Sequence, residues 1–256
     1  MTSDHETPQP PASSDEIVKQ VIADRFKQTE SDIDSAQLVG ALVSEIPMKD
    51  GTTSVVALYG GAASGKSTLA QQLVAELRNA GHSADVIGTD DYVIGDRPYR
   101  REHFERKEPR AKYDFDLLNQ KIREICALED GQTVGVPTYD EETGVAIAAG
   151  EENFEHQIGK VDVLFIEGDF PEVEDPALTV FLHVSDEQRL QQRIARDALK
   201  RGEADEAKTT ENFWQRHETQ HLPITIGAIE HADVIVEGTI DKDRRNFDIY
   251  QVKPEE

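Results

Sequence analysis

The stretch Gly60-Gly61-Ala62-Ala63-Ser64-Gly65-Lys66-Ser67 constrains this chain more than any other feature. It matches the pattern G-x-x-x-x-G-K-[ST], and it lies between an apolar strand candidate, Ser54–Tyr59, and an amphipathic helix candidate, Lys66–Ala80. Small residues let the backbone wrap around a phosphate, so that successive N–H groups and the positive end of the following helix face the anion. The sequence therefore predicts a phosphate-binding loop at residues 60–67, called the phosphate loop below.

The side chains of the phosphate loop indicate which ligand it holds. Lys66 can reach the β- and γ-phosphates of a nucleoside triphosphate, and Ser67 can ligate Mg²⁺. The dinucleotide motif G-x-G-x-x-G does not fit, because position 62 is Ala. The residues predicted to hold ATP with Mg²⁺ are Gly60, Gly61, Ala62, Ala63, Ser64, Gly65, Lys66, Ser67 and Thr68.

Strand and helix candidates alternate after residue 54, which predicts βαβ units and a parallel sheet. Two strand candidates, VDVLFI and LTVFLHV, are almost continuously apolar, as expected when helices cover both faces of a sheet. The predicted fold class is α/β, with a doubly wound, mostly parallel sheet and the P-loop NTP hydrolase/kinase fold. Further strand candidates are Ala84–Ile87, Thr133–Pro137, Val161–Ile166, Leu178–Val184 and Asp233–Val236, and further helix candidates are Phe115–Leu128 and Glu187–Arg201.

The N-terminal part of the chain differs from the rest in composition. Residues 1–14 contain three Pro and almost no apolar residue, so we predict a disordered tail. Residues 15–50 carry apolar residues at helical spacing and are predicted to form a helical N-terminal extension, with Asp15 as an N-cap and a second helix over Ser35–Glu45. The apolar face of this extension can dock on the P-loop domain, residues 51–256, or on another subunit, so a homo-oligomer stays open.

The charge balance limits the class of partner. The chain has 27 basic and 51 acidic residues, a formal net charge of −24, which would repel a nucleic-acid backbone over most of the surface. Such a charge fits both a simple need for solubility and a high-salt cell. No apolar run approaches the roughly 18 residues of a membrane span, and the polar N-terminus is not a secretory signal. We expect a soluble cytoplasmic protein whose partners are ATP and a small molecule, without nucleic acid or membrane.

Cysteine usage and one basic segment add two further points. The single cysteine, Cys126, excludes an intramolecular disulfide and any multi-cysteine metal cluster. Residues 97–112 carry seven Lys or Arg against three Glu, which opposes the global charge. This segment is interpreted either as a solvated charged helix or as a flap that attracts an anionic ligand.

Acidic residues follow two of the strand candidates. The strand ADVIG leads into Thr89-Asp90-Asp91-Tyr92, and VDVLFI leads into Glu167-Gly168-Asp169. In open α/β sheets, functional groups gather at the carboxyl ends of the strands. Asp90 is therefore the candidate general base and Glu167 the candidate metal ligand beside Ser67, with Asp91 a weaker alternative to Asp90.

The order of the motifs resembles the uridine kinase and phosphoribulokinase family, with bacterial P-loop pantothenate kinases as close relatives. The motifs are the phosphate loop, TDDY, YDFDLL, PTYD, FIEGDF and RLQQRIARDALKRG, and the resemblance covers about residues 54–236. It implies an ATP-dependent kinase that phosphorylates a hydroxyl group of a small metabolite. The resemblance also implies that Asp90 faces the acceptor hydroxyl as the base and that Glu167 lies near the metal.

Further site residues follow from the same resemblance. Asp114 is expected to contact a nucleoside sugar, Tyr139 to lie beside the acceptor, and Arg196 and Arg201 to contact the ATP phosphates; Asp90, Lys66 and Arg196 are the candidate catalytic residues. In uridine kinases this segment is usually followed by a His and an Arg that help hold the base, whereas this chain continues EETGVA after PTYD. Uridine or cytidine leads as the acceptor, and pantothenate, a sugar or a pentose phosphate stay open. A P-loop NTPase acting as a regulatory switch is the alternative from another class.

Overall fold

The computed structural model describes residues 14–104, 109–140, 142–147, 156–169, 172–201, 206–216, 222–241 and 244–253. Its helices are α1 Ser14–Arg25, α2 Ser35–Glu45, α3 Lys66–Asn79, α4 Arg97–His103, α5 Phe115–Cys126, α6 Asp186–Arg201, α7 Glu206–Arg216 and α8 Leu222–Glu230. Its strands are β1 Phe26–Ile33, β2 Ser54–Gly60, β3 Ala84–Gly88, β4 Thr133–Gly135, β5 Thr138–Tyr139, β6 Ala146–Ile147, β7 Gln157–Gly159, β8 Val163–Gly168, β9 Leu178–Val184, β10 Val234–Asp241 and β11 Arg244–Val252. Short 3-10 helices cover Thr89–Tyr92 and Pro109–Lys112.

Seven strands form the central sheet, in the order β1-β11-β10-β9-β2-β8-β3. The five strands from β10 to β3 run parallel, and β11 pairs antiparallel with both β10 and β1. Strand β2 is the middle one of these five parallel strands. From β2 the chain moves to β3 at one edge of the sheet, and it then returns to β8 and β9, which flank β2 on its two sides. The predicted doubly wound, mostly parallel α/β sheet is confirmed.

Helices cover both faces of this sheet. Side chains of β2 alternate between the layers: Val56 and Leu58 join the core beneath α2 and α3, whereas Ala57 and Tyr59 face the core beneath α1 and α8. Helix α5 covers the β3–β8 end of that second face. All seven residues of β2 are buried, which explains why its sequence is apolar without alternation.

The N-terminal region differs from the helical extension predicted for residues 15–50. The two predicted helices are present, and α2 has the predicted bounds Ser35–Glu45. Between them, however, β1 pairs antiparallel with β11 and becomes the edge of the central sheet. The apolar faces of α1 and α2 pack on this sheet, through residues such as Val18 and Leu38. Residues 15–50 are therefore part of the main domain's architecture.

Several local predictions need adjustment. Helix α1 begins at Ser14, so Asp15 lies in its first turn and not at its N-cap, and the rest of the predicted tail, residues 1–13, lies outside the described residues. Strand β4, within the predicted strand Thr133–Pro137, pairs with β7 in a separate two-stranded sheet. The basic segment 97–112 forms α4 and a 3-10 helix, with residues 105–108 outside the described part.

None of the helices in the described part of the chain is both long and apolar enough to cross a membrane.

Candidate active site

The phosphate loop lies at the carboxyl end of the central strand. Gly60 ends β2, and Gly65 is the N-cap of α3 with a left-handed φ of 99°. That conformation favours glycine because an L side chain would be strained there. Ala63 also has a positive φ, 64°, so the loop curls tightly between strand and helix. Its backbone N–H groups and the N-terminus of α3 are thereby gathered around one point, which suits an anion.

Lys66 lies inside the loop and is almost fully buried. Its ammonium donates to the carbonyl oxygens of Gly60 (2.8 Å) and Gly61 (3.1 Å), and it forms an ion pair with Asp169 at 3.0 Å. Asp169 was not among the predicted site residues. Its position two residues after Glu167, at the end of the same apolar strand, is the sequence signal that could have identified it.

Ser67 and Glu167, the two candidate metal ligands, lie side by side. The Ser67 hydroxyl donates to Glu167 Oε1 at 2.9 Å. Glu167 is the next-to-last residue of β8, which is paired with both β2 and β3, so the register places Glu167 between the ends of these two strands. Burial raises the pKa of Glu167, opposed by the nearby Lys66 charge.

Asp90 and Asp91 differ sharply in their surroundings. Asp91 points inward and accepts two backbone N–H groups, from Gly88 (3.0 Å) and Tyr139 (2.8 Å). Asp90 is exposed and accepts the Tyr113 hydroxyl at 3.1 Å. Burial raises the pKa of Asp91 and, together with the charge of Asp90, holds the pKa of Tyr113 well above its usual value. Asp90 is thus the member of the pair that is available to a ligand, and Asp91 fixes the backbone around it.

The two predicted acceptor residues lie in the same neighbourhood. Asp114 caps α5, its Oδ1 accepting from Leu117 N at 2.9 Å. Tyr139 packs against the small apolar cluster that contains Tyr113 and Val93. Asp114 therefore stabilises the start of α5, a structural role that the sequence analysis did not distinguish from contact with a ligand. Both Asp114 and Tyr139 lie on the Tyr113 side of Asp90.

The described arginines of α6 lie in different surroundings. Arg189 is buried and ion-paired with Asp186 at 3.0 Å, and a Cβ built on Gly61 would overlap its guanidinium. Arg196, by contrast, has a 47 % exposed side chain and lies 3.5 Å from Asp197. The side chain of Arg201 lies outside the described residues. Among the described side chains of α6, Arg189 is therefore the arginine that contacts the phosphate loop, and the prediction had named Arg196 and Arg201 instead.

The residues present fit a nucleoside triphosphate with Mg²⁺. The Ser64 hydroxyl is buried in the loop and has no hydrogen-bond partner among the described residues, as expected of a group that faces a ligand. Mg²⁺ prefers oxygen ligands and usually takes only one or two from the protein, with the rest from phosphates and water. The Ser67 hydroxyl and the Glu167 carboxylate supply such oxygens. The described part of the chain contains no group of three or more His, Cys, Asp or Glu that could hold a metal ion.

A phosphate loop at the central strand of a parallel sheet, with carboxylates at the two adjoining strand ends, defines a P-loop kinase of the α/β class. The model of the phosphoribulokinase/uridine kinase family matches residues 55–243. The chain belongs to this family.

Solved structures show the same fold. A "putative fructose transport system kinase" from Silicibacter sp. TM1040 is 25 % identical, with a TM-score of 0.57, and the match covers 78 % of this chain and 95 % of that one. D-glycerate 3-kinase from Cryptococcus neoformans var. grubii is 14 % identical, with a TM-score of 0.56 and coverage of 79 % and 94 %. A search of curated protein sequences found no match.

Proposed function

We propose that this protein transfers the γ-phosphoryl group of ATP to a hydroxyl group of a small metabolite. The observation that carries the proposal is the convergence of strand ends on the phosphate loop: Lys66 contacts Asp169, Ser67 contacts Glu167, and an exposed carboxylate follows β3. A switch protein needs the phosphate loop and a metal ligand, but it has no use for a third carboxylate on an acceptor side. The arrangement therefore favours a kinase over a regulatory NTPase.

The residues of the loop bind and neutralise the triphosphate. Backbone N–H groups from Gly60 to Thr68 cradle the phosphates, and Lys66 exchanges part of its contact with Asp169 for phosphate oxygens. Ser67 and Glu167 would hold Mg²⁺, and the ion would neutralise part of the phosphate charge. Arg196 and Arg201 belong to a helix that can close over the phosphates, and their guanidinium groups match phosphate oxygens bidentately.

Asp90 orients the acceptor hydroxyl and takes its proton. The Tyr113 hydroxyl holds one oxygen of this carboxylate at 3.1 Å, and the pKa of Tyr113 is far above neutral, so the phenol stays protonated and donates. Among the described residues the other oxygen has no hydrogen-bond partner, and it is the one that would receive the acceptor. Positioning and charge neutralisation supply most of the rate enhancement in phosphoryl transfer, with general-base help of roughly 10²–10⁴-fold.

A nucleoside is the leading candidate for the acceptor, and other small hydroxyl compounds are the alternatives. Asp114 and Tyr139, which match family positions beside the acceptor, favour uridine or cytidine. The name of the similar protein from Silicibacter refers to a fructose transport system, so fructose is a sugar acceptor to test. Pantothenate and pentose phosphates complete the set.

The test is a screen with ATP and Mg²⁺ in which each candidate acceptor is supplied separately. We expect one acceptor class to give ADP and a phosphorylated product in equal amounts, and the Lys66→Ala variant to give neither. ATP hydrolysis that is unaffected by every acceptor, with no phosphorylated product, would refute the kinase and favour the switch.

A further inference from the structure

A second arginine contacts the phosphate loop from an unexpected part of the chain. Arg245 lies on β11, beyond the 55–243 segment that matches the family. A Cβ built on Gly65 would lie 2.7 Å from its Nη1 atom, so the guanidinium rests directly against the loop at the start of α3. Its Nη2 donates to Gln192 Oε1 of α6 at 2.9 Å.

The described surroundings of this guanidinium hold no anion paired with it. The described residues place no carboxylate within ion-pair distance of Arg245, and its contacts are the Gln192 amide and the Phe247 ring, whose centroid is 5.9 Å away. Burial lowers the pKa of Arg245, which reflects the cost of removing a cation from water. A partly desolvated cation without a fixed anion, next to an anion-binding loop, is the arrangement expected when the anion is a ligand.

The topology says which side of the ligand Arg245 faces. The carboxylates of the acceptor side follow β3 and β8, which lie on one side of β2. Arg245 comes from the opposite side, where β9, β10 and β11 lie. A triphosphate seated in the loop would therefore present its transferred end to Asp90 and another part of its phosphate chain to Arg245.

We infer that Arg245 is a binding residue for the phosphate chain of the nucleotide, supplied by a strand outside the family match. The inference rests on the proposed function only in that a nucleoside triphosphate occupies the loop. Gln192 holds the guanidinium in place through its Oε1; its own Nε2 is buried and has no partner among the described residues. The contact couples α6, which carries the candidate lid arginines, to the loop itself.

The test measures binding by calorimetry, without any acceptor. Mg²⁺-ATP and Mg²⁺-tripolyphosphate are titrated into wild type, Arg245→Ala, Arg245→Lys and Lys27→Ala. Lys27 is an exposed cation on β1 of the same sheet, so its removal controls for net charge. We expect Arg245→Ala to raise the Kd for both ligands about 10-fold or more, within the range for losing a charge-assisted hydrogen bond, Arg245→Lys to raise it less, and Lys27→Ala to leave it nearly unchanged.

Each other outcome has a definite meaning. Unchanged affinity in Arg245→Ala, an equal loss in Lys27→Ala, or a loss for ATP with tripolyphosphate unaffected would overturn the inference. If wild type binds neither ligand, the nucleotide site itself fails, and the proposed function falls with it. If Arg245→Ala melts many degrees below wild type, the Arg245→Lys variant decides, because it keeps the charge and the aliphatic stem while losing the bidentate geometry.

Discussion

Exchanging each of the neighbouring carboxylates Asp90 and Asp91 for its amide should give two opposite phenotypes. Asp90→Asn removes an exposed carboxylate whose one hydrogen bond within the described part of the chain comes from the Tyr113 hydroxyl, so the fold should barely change. Asp91→Asn removes a carboxylate that accepts two backbone N–H groups. An amide has one acceptor oxygen, so its NH₂ group would face one of these two donors.

The sizes of the two effects can be worked from those contacts. Loss of a general base reduces turnover by roughly 10²–10⁴-fold, with little change in ATP affinity, since the phosphate loop dominates binding. Loss of one buried hydrogen bond to a charged acceptor, with a donor left unsatisfied, costs about 2 kcal/mol of unfolding free energy. For a chain of this size that corresponds to a fall in Tm of roughly 4–8 °C.

The assay pairs product formation on the acceptor found by the screen with urea denaturation of each variant. We expect Asp90→Asn to be stable and nearly inactive, and Asp91→Asn to be less stable but active at low temperature. An inactive, stable Asp91→Asn beside a normal Asp90→Asn would show that the roles are reversed. Normal turnover in both would mean that the acceptor hydroxyl does not meet this strand end.

Three further variants test other parts of the site. Lys66→Ala should keep the circular dichroism spectrum of wild type but lose more than tenfold in turnover, because a charge contact in the transition state contributes ~3–4 kcal/mol. A rate above a tenth of that of wild type would show that the ATP site lies elsewhere. Gly60→Ala should destabilise the chain by about 1–3 kcal/mol in urea, since its Cβ would overlap the Leu182 carbonyl oxygen, whereas Gly40→Ala in α2 meets nothing within 4 Å and should be neutral or stabilising. Burial lowers the pKa of His183 to about 4, so as the pH falls below about 6.5 this side chain takes up a proton in the unfolded chain before it does so in the folded one. The free energy of unfolding of wild type should therefore fall by about 2 kcal/mol between pH 7 and pH 5 through this group. The His183→Gln variant should not show this loss.

The parallel core of the fold was predictable because its strands are buried on both faces. Strand β9 has the predicted bounds Leu178–Val184, and all of its residues are buried. Strand β1 was missed because its six central residues are polar and exposed, so nothing in FKQTESDI alternates. This strand forms because it pairs with β11, a segment far away in the sequence. It has no alternation of apolar and polar residues, which is the signal on which a sequence-based prediction depends.

The candidate site divides in the same way. Lys66, Glu167 and Asp90 could be placed from the sequence because parallel strands end at a common edge of the sheet. Each of the three residues lies at the end of a strand or shortly after it. The contact of Arg189 with Gly61 depends on how α6 packs, and that of Arg245 with Gly65 on where β11 crosses the sheet. Local spacing predicts neither of these arrangements, so the contacts of Arg189 and Arg245 with the loop became visible only in the structure.

The pairing of β1 with β11 has a consequence for how the protein is made. Thr29 of β1 donates to the carbonyl oxygen of Ile249 across 220 residues of sequence. At synthesis rates of about 5–20 residues per second, β1 waits roughly 10–45 s for its partner. During that interval its row of exposed polar side chains, including Lys27 and Glu30, discourages pairing with strands of other chains. The polar character that concealed this strand from sequence analysis thus protects the nascent chain until its sheet can close.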